Sequence, residues 1–434
     1  MMIFLSDLHL TDTLDRPTGD SERLYLVLDR ILQRATTKGF ESATIVFLGD
    51  LFDLLKSKLW WEEGVWPWEQ SSPKRVQVVK TIFDRIVRAN ENFFETFRQL
   101  GTRYDFLDLR FIPGNHDRLL NTDMGLAARE RLLKELSLEA SGDQPFDCVV
   151  QDDEHRVFAI HGHEWDATNK YVGERAAIGD AVVVKIIARL PDVMAEHLEM
   201  AVDDPRIAFL YDLDHLGLHQ PQPMLTGLWA GLLTLVPKES GPRPRVQGAI
   251  AQAIEEVLED FRALPETSFG RVEIKRWWEK GLQTMASTFQ PRVKRLRLGS
   301  SQNSARIPAR FKIPPIPAKA QSYRQLAAKD LSAIRYASGS SRSQSRFRYL
   351  LCGHTHRPEI VPIDSGNDRE HCYYVNTGTW RRIHHLADMD MDRISRQGYF
   401  SPRQEECLVI VHSDAEQTAG APPFHVHQVS RGIA

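Results

Sequence analysis

The sequence predicts an α/β fold that is interrupted by a long, mainly helical region and then completed. Residues 1–165 alternate segments of strand and helix character, whereas residues 166–346 are mostly helical and then basic. Strand character returns in residues 347–434. We therefore expect one α/β domain in two parts, with residues 166–346 as an insertion between them.

In the first part, apolar runs predict strands at residues 2–5, 44–48 and 109–112, and a hairpin that pairs residues 147–151 with 156–161. Apolar residues at helical spacing predict helices at residues 22–37, 73–99 and about 125–137. Pro73 suits the first turn of the second helix, because proline lacks the backbone N–H that would be unsatisfied there.

Helical spacing continues in the insertion, where it predicts helices at about 171–190, 192–201, 205–218, 224–235, 246–262 and 271–288. Residues 290–322 are rich in Pro, Arg and Ser, which predicts an extended or disordered segment. Strands are predicted again at residues 347–352, 372–376, 406–412 and 424–429.

Composition places the chain among ordinary globular proteins, with 42% hydrophobic and 26% charged residues. Its four cysteines are widely spaced, which favours neither a disulfide framework nor a structural zinc site. The longest apolar stretch, residues 225–236, is too short to span a bilayer, and core packing is favoured over a membrane surface for it. The first strand begins at once, without a signal peptide, so we expect a cytoplasmic protein with no transmembrane segment.

Charge is distributed unevenly along the chain. Residues 271–348 hold eighteen Lys or Arg and three acidic residues, an excess of fifteen positive charges in a chain whose net charge is −3. Clustered positive charge is typical of a surface that contacts a polyanion, although such runs are also often solvated or disordered. Contact with nucleic acid through this region therefore stays one of two alternatives.

Five polar motifs each follow an apolar run of strand character. They are Asp7-Leu8-His9, Gly49-Asp50-Leu51-Phe52-Asp53, Gly114-Asn115-His116-Asp117, His161-Gly162-His163 and Gly353-His354-Thr355-His356. In α/β folds the carboxyl ends of strands form the edge where ligands bind. Each motif alone occurs by chance, but five together predict a metal centre.

The donor set suits borderline-hard cations, because it combines carboxylate, imidazole and amide groups without thiolates. Mn²⁺ is favoured, with Fe²⁺ or Zn²⁺ as alternatives. Two cations held about 3.5–4 Å apart need a shared carboxylate. Asp50 is the natural bridge, since it follows a strand between the other groups of ligands.

As a full series, these motifs resemble those of the calcineurin-like metallophosphoesterases, over about residues 1–165 and 347–412. The resemblance implies a two-layered β-sandwich flanked by helices, with a dinuclear site at one edge. One cation would be bound by Asp7, His9, Asp50 and His356, and the other by Asp50, Asn115, His161 and His354. His116 would face the phosphate and the leaving oxygen, oriented by Asp53. The implied roles of His116 and Asp53 are therefore catalytic.

The resulting functional hypothesis is a metal-dependent phosphoesterase that hydrolyses phosphodiester bonds with a metal-activated hydroxide, on a nucleic acid or a nucleotide. The alternatives are a hydrolase of small phosphomonoesters or pyrophosphates such as nucleotide-sugar lipids, and a non-catalytic binding protein. The chain departs from the phosphoprotein phosphatases of the family at Leu54-Leu55 and at Asp117, where those enzymes carry Arg-Gly and Glu. His163 stands where the family has Asp, so the resemblance assigns it no role.

Two further segments allow a functional and a structural interpretation. The four tryptophans between Trp60 and Trp68 could stack on a base or sugar, but a hydrophobic plug against the helix at 73–99 is favoured. Arg381 and Arg382 follow Asn376-Thr377-Gly378 and are candidate phosphate ligands or a solvated pair.

Overall fold

The structure is a computed structural model. It describes residues 1–12, 20–138, 143–171, 175–201, 243–269, 272–290, 347–363, 372–384, 402–418 and 420–432, with isolated positions between 204 and 235. The chain divides into two compact units, of which the first comprises residues 1–166, 321–382 and 403–434 and the second residues 167–320 and 383–402. Among the described residues, no helix is both long enough and apolar enough to cross a membrane.

The protein is an α/β protein with two mixed sheets. Its strands are β1 (Met2–Leu5), β2 (Ala43–Leu48), β3 (Leu107–Ile112), β4 (Val149–Asp152), β5 (Val157–Ile160), β6 (Tyr349–Cys352), β7 (Pro358–Ile363), β8 (Cys372–Thr377), β9 (Trp380–His384), β10 (Pro402–Val411) and β11 (Phe424–Gly432). All strands predicted from the sequence are present, whereas β7 and β9 were not predicted.

Strands β1, β2 and β3 are parallel neighbours in the first sheet, whose order is β11-β10-β1-β2-β3, with β9 also paired to β10. Strands β5, β6 and β8 are parallel neighbours in the second sheet, whose order is β4-β5-β6-β8-β7. The remaining pairs are antiparallel where their register is defined. The carboxyl ends of the parallel strands therefore form one edge in each sheet, and every predicted motif follows one of these ends.

The two sheets share one hydrophobic core. Phe4 and Val46 of the first sheet belong to the same cluster of buried side chains as Ala159, Leu351 and Val375 of the second. These residues alternate along their strands with residues on the opposite face, such as Ile3 and Ile45, which are also buried, so β1 and β2 are covered on both faces. The shared core brings the carboxyl edge of one sheet close to that of the other.

The described helices of the first unit are α1 (Ser21–Thr37), α2 (Leu59–Glu62), α3 (Pro73–Ala89), α4 (Glu91–Arg103), α5 (Leu126–Leu136) and the short α10 (Asp414–Thr418). The prediction of one continuous helix over residues 73–99 is wrong, since the helix breaks at Asn90, where φ is −121° and ψ is 34°. The Asn90 side chain donates to the carbonyl oxygens of Thr11 (2.9 Å) and Ile86 (2.8 Å). Asparagine side chains compete with helical hydrogen bonds in this way, so α4 starts in a new direction.

Trp60 lies in α2 and is fully buried, with its indole N–H donating to the carbonyl oxygen of Leu54 at 2.8 Å. Trp66 and Trp68 are half-buried and stack on each other at 5.7 Å. For Trp60 the structure therefore agrees with the packing interpretation.

In the second unit the described helices are α6 (Ile178–Ala181), a π-helix (Val182–Ala188), α7 (Leu190–His197), α8 (Arg243–Arg262) and α9 (Val272–Phe289). The predicted helices at 246–262 and 271–288 are confirmed, whereas the one predicted at 171–190 begins only at Ile178 and changes to π geometry. Most of residues 205–235 and all of residues 291–346 lie outside the described residues. The predicted segment at 290–322 and most of the basic region 271–348 therefore belong to parts that the structure does not describe.

Candidate metal centre

All seven predicted metal ligands lie in the first unit, on loops that follow the carboxyl ends of parallel strands. Asp7 and His9 follow β1, Asp50 follows β2 and Asn115 follows β3, while His161 follows β5 and both His354 and His356 follow β6. Backbone hydrogen bonds join these loops to one another, such as His9 N to Asp50 O at 2.9 Å and Gly353 N to His161 O at 2.9 Å. The structure therefore brings together five segments that are distant in sequence.

The backbone around the cluster adopts a conformation that most residues avoid. Of the eight non-glycine residues with positive φ in the described parts of the chain, five are predicted ligands, namely Asp7, His9, Asp50, His354 and His356. Each left-handed residue of this kind costs on the order of 1–3 kcal/mol and persists only when its surroundings impose it. Such strain concentrates at functional sites.

Glycines in two motifs allow the ligands to approach closely. Gly49 has φ of +82°, and a Cβ on it would overlap the imidazole ring of His161. A Cβ on Gly114 would overlap the carboxylate of Asp50. The glycines are therefore part of the site, because larger residues would push His161 and Asp50 out of place.

One group of side chains joins Asp7, His9 and His356, whose ligand atoms lie within 4.8 Å of one another. Nε2 of His356 lies 3.3 Å from Oδ1 of Asp7 and 3.0 Å from Nε2 of His9. At this separation the Nε2 atoms of His9 and His356 share at most one proton. Once that proton is lost, the lone pairs of both nitrogens lie close to each other and to the carboxylate of Asp7. This arrangement could hold a metal ion.

A second group joins Asp50, His161 and His354. Nε2 of His161 lies 3.2 Å from Oδ2 of Asp50, and its Nδ1 lies 2.9 Å from the carbonyl oxygen of Leu48. Since a carbonyl only accepts, Nδ1 carries a proton, so Nε2 is the nitrogen directed toward Asp50 and would present a lone pair there once its own proton is lost. His161 is thus oriented as a metal ligand.

Asp50 belongs to the second group and lies beside His9 of the first. Its Oδ2 lies 3.7 Å from Nε2 of His9 as well as 3.2 Å from Nε2 of His161, and its Oδ1 accepts a hydrogen bond from the backbone N of His116 at 2.8 Å. The carboxylate is 1% exposed. Burial alone would raise the pKa of Asp50, but the charges of His161 and His116 hold it well below its usual range.

Asn115 provides an independent test of whether a cation fits here. Its side-chain oxygen is buried and accepts no hydrogen bond from any described residue. A buried acceptor without a donor costs about 1–3 kcal/mol, and a cation would remove that cost. Together with the carboxylates and imidazoles around Asp50, this amide oxygen completes a donor set suited to a borderline-hard divalent ion.

Asp53 holds two histidines in place. Its Oδ2 lies 3.3 Å from Nδ1 of His9, and its Oδ1 lies 2.9 Å from Nδ1 of His116. The first contact leaves Nε2 of His9 available for a metal, as carboxylate partners of ligand histidines commonly do. The sequence predicted an orienting role toward His116 only, so the contact with His9 is an addition.

The pKa of His116 is raised to about 9, because the charges of Asp53 and Asp50 outweigh the lowering effect of burial. In contrast, burial and the nearby positive charge of Arg381 lower the pKa of His9 to about 3. His116 therefore carries a proton at neutral pH in the metal-free protein, whereas His9 does not. His116 also forms a possible ligand group with His9 and Asp50.

Two residues near the centre, Asp166 and Asp117, were not assigned by sequence reasoning. Nε2 of His354 lies 3.0 Å from Oδ2 of the buried Asp166, which no motif indicated. Asp117, noticed only as a family difference, accepts hydrogen bonds from the backbone N of Gly114 (2.6 Å) and of Leu51 (2.8 Å). Asp117 thereby joins the loops after β2 and β3. Burial and the charge of Asp50 raise its pKa to about 7.

The segment from Asn376 to Thr379 forms hydrogen bonds with the loops that carry the predicted ligands. The Asn376 side chain donates to the carbonyl oxygen of Gly353 at 2.6 Å, and Thr379 Oγ1 donates to that of Asp7 at 2.6 Å. Arg381 is fully buried beside these loops, and the side chain of Arg382 is outside the described residues. His163 lies next to the second group, with its ring 5.5 Å from that of His161, and burial lowers its pKa to about 4.

No protein-family model matches this chain, and a search of curated proteins found no match.

Proton release provides a test of metal binding. The charge of Asp50 outweighs burial and raises the pKa of His161 to about 10, so Nε2 of His161 is protonated at pH 7 without metal. A metal must displace that proton, so affinity for Mn²⁺ is expected to increase up to about tenfold per pH unit between roughly pH 6 and 9. Calorimetry in buffers of different ionisation enthalpy should detect about one released proton, and His161→Gln should abolish this release. Binding without proton release would contradict the assignment.

Asp166→Asn is expected to weaken Mn²⁺ binding by about 10–100-fold, because a partner that orients a ligand histidine typically contributes this much. Asp152→Asn is a matched control, since Asp152 also contacts a histidine, with His155 Nδ1 at 2.9 Å, but lies outside the ligand groups. Competition with a metal-sensing dye measures both affinities. Equal affinities in the two variants would show that Asp166 does not position His354.

Proposed function

We propose that the chain is a dinuclear metallophosphoesterase of the calcineurin-like type, with the two-layered sandwich that this family implies. The observation that carries the proposal is the buried Asp50 carboxylate, which lies within 4 Å of ligand nitrogens from two different groups. A carboxylate shared by two sites is what a pair of cations requires. The arrangement of the sheets around one core supports the proposed fold.

In the proposed site, Asp7, His9, Asp50 and His356 would hold one ion, and Asp50, Asn115, His161 and His354 would hold the other. When bound, two divalent ions would supply positive charge to the phosphate oxygens and promote ionisation of the attacking water. Mn²⁺ is the proposed ion, with Fe²⁺ and Zn²⁺ as alternatives. The carboxylate, imidazole and amide ligands of the proposed site are compatible with all three ions.

His116 supplies the proton in the proposed reaction. As the water oxygen forms its bond to phosphorus, the bond from phosphorus to the leaving oxygen breaks and that oxygen gains a proton. Asp53 holds the Nδ1 side of His116 at 2.9 Å, so the opposite nitrogen, Nε2, is the one available to donate. Without bound metal, the charges of Asp53 and Asp50 outweigh burial and raise the pKa of His116 to about 9, and the contact with Asp53 favours the protonated ring that a general acid requires.

The proposed substrate is a phosphodiester in a nucleic acid or nucleotide, with small phosphomonoesters or pyrophosphates such as nucleotide-sugar lipids as the alternative. The basic region 271–348, on which the nucleic-acid hypothesis first rested, is mostly outside the described residues. Measured hydrolysis of both kinds of substrate must therefore distinguish the two classes.

A screen in Mn²⁺ tests the proposal with bis-p-nitrophenyl phosphate, p-nitrophenyl phosphate, single-stranded DNA, RNA and a UDP-sugar lipid. Preference for the diester and cleavage of the nucleic acids are expected, together with about two metal ions per chain by elemental analysis. Hydrolysis of the lipid pyrophosphate alone would favour the alternative substrate class. Absence of hydrolysis with every metal and substrate would overturn the proposed enzyme.

A further inference from the structure

A cationic groove lies in the first unit, between α1 and the outer face of strands β10 and β11. It encloses about 320 Å³ and is lined by Arg23, Arg30, Arg34 and Lys38 of the helix. None of the described residues that line it is acidic. Its charge therefore favours an anionic ligand.

The cations follow one face of α1. Arg30, Arg34 and Lys38 are one turn apart, so each step advances about 6 Å, and the row from Arg23 to Lys38 extends over about 22 Å. Arg23 is already paired, with Glu406 at 3.1 Å. Arg30 and Arg34 are exposed and have no ion pair with any described residue, so their charges remain available to a ligand. A row of regularly spaced cations matches a repeating anion better than a single one.

The floor of the groove is apolar and aromatic. Val27 and Ile31 of α1 face Ile410 of β10, and the rings of His425 and His427 lie along β11. These histidines are two residues apart and pair with Ile410 and Leu408, so both project from the helix-facing side of the strand. Flat rings beside a row of cations are the combination that binds bases and phosphates of single strands.

We propose that this groove binds single-stranded nucleic acid, with phosphates along Arg30, Arg34 and Lys38 and bases over the apolar floor. Each phosphate contact to a single strand contributes about 0.7 to the slope of log K against log salt, which is about fivefold in affinity at 0.1 M salt. Groove binding is therefore strongly dependent on salt and weakly dependent on sequence.

The groove also leads toward the metal ligands. Glu406, the partner of Arg23, lies three residues from Val409, which pairs with Phe4 near the carboxyl end of β1. Lys38 lies at the opposite end of α1, where the backbone returns to the start of β2. A bound strand would thus be guided to the edge that carries Asp7. This use as a substrate guide rests on the proposed function, whereas binding itself does not.

The test compares the full-length chain with the variant Arg30→Ala/Arg34→Ala. Fluorescence anisotropy follows binding of a labelled oligothymidylate of about fifteen nucleotides, within the range of site sizes known for such grooves. A chelator is present throughout, so that no metal-dependent cleavage occurs. We expect the variant to bind about 25-fold more weakly at 0.1 M salt, with a salt slope smaller by about 1.4. Alanine favours helix at both exposed positions, which preserves α1.

The control variant Arg88→Ala/Lys134→Ala removes the same charge from exposed positions of α3 and α5 and should bind within about twofold of wild type. Equal binding by the groove variant and wild type would overturn the inference and assign any binding to another basic region. Failure of the wild-type chain to bind at low salt would also overturn it. If a mononucleotide displaced the labelled probe as well as an unlabelled oligothymidylate does, the groove would be a site for a small anion and the inference would be wrong. Hydrolysis of bis-p-nitrophenyl phosphate by the wild-type chain tests the proposed enzyme separately.

Discussion

Asp50→Asn is expected to abolish hydrolysis of every phosphoester substrate and to lower the metal content from about two ions per chain to one or none. The substitution keeps the size of the side chain but removes the carboxylate that, among the described residues, is common to the group of His9 and His116 and the group of His161 and His354. Without that charge, two cations a few ångströms apart would repel each other with little compensation. Elemental analysis and turnover of bis-p-nitrophenyl phosphate measure the two effects.

Asp108→Asn is the control for this experiment, because it removes one carboxylate charge from an exposed position on β3, the strand that leads to Asn115. It should retain both metal and turnover. Circular dichroism verifies that the Asp50 variant is folded. An Asp50→Asn protein with two ions and wild-type turnover would exclude Asp50 as the bridge.

His116→Ala should keep its metal ions and lose turnover by roughly 10²–10⁴-fold, the usual contribution of a positioned general acid. The physical reason is the contact between Asp53 and Nδ1 of His116, which orients the ring and favours its protonated form. The loss should be smaller for p-nitrophenol esters than for alkyl or nucleotide esters, because an acidic leaving group needs little help from a proton donor.

Metal analysis decides between the two roles that the geometry allows His116. The ring lies 4.6 Å from that of His9 and belongs to a third possible ligand group with Asp50. If His116→Ala lost an ion, His116 would be a ligand and its proposed role as proton donor would be wrong. His155→Ala is a suitable control, since His155 is a buried histidine with a carboxylate partner outside these groups.

Much of the fold could be predicted from local pattern, and the failures have identifiable causes. The predicted strands and the hairpin are present because each has an apolar run bounded by polar residues. The helix over residues 73–99 was predicted as continuous because its apolar spacing continues through Asn90, where a side-chain contact to Thr11 accompanies the break. Thr11 is 79 residues away in sequence, so helical spacing alone could not reveal that contact.

In the candidate site, too, some residues could be predicted from local sequence pattern and others could not. The seven predicted ligands could be named from the sequence because side chains of types that can bind a metal directly follow strands, and a strand's carboxyl end is a defined place in a sheet. Asp166 could not be named, because it belongs to no motif and its role depends on a 3.0 Å contact with His354, which is 188 residues distant. The second contact of Asp53, with His9, was missed for the same reason.

The sequence by itself determined the alternation of strands and helices, the positions of the ligand loops and the glycines within them, since these depend on local periodicity and on the residue that follows each strand. Only the tertiary structure decided which ligand atoms converge, because convergence requires two sheets with parallel strands to share one core. It also decided the charges within the site. The opposite pKa shifts of His9 and His116 arise from burial and from neighbours such as Arg381 and Asp53 that are distant along the chain. Electrostatic energies depend on distance in space, and the sequence contains that distance only through the fold.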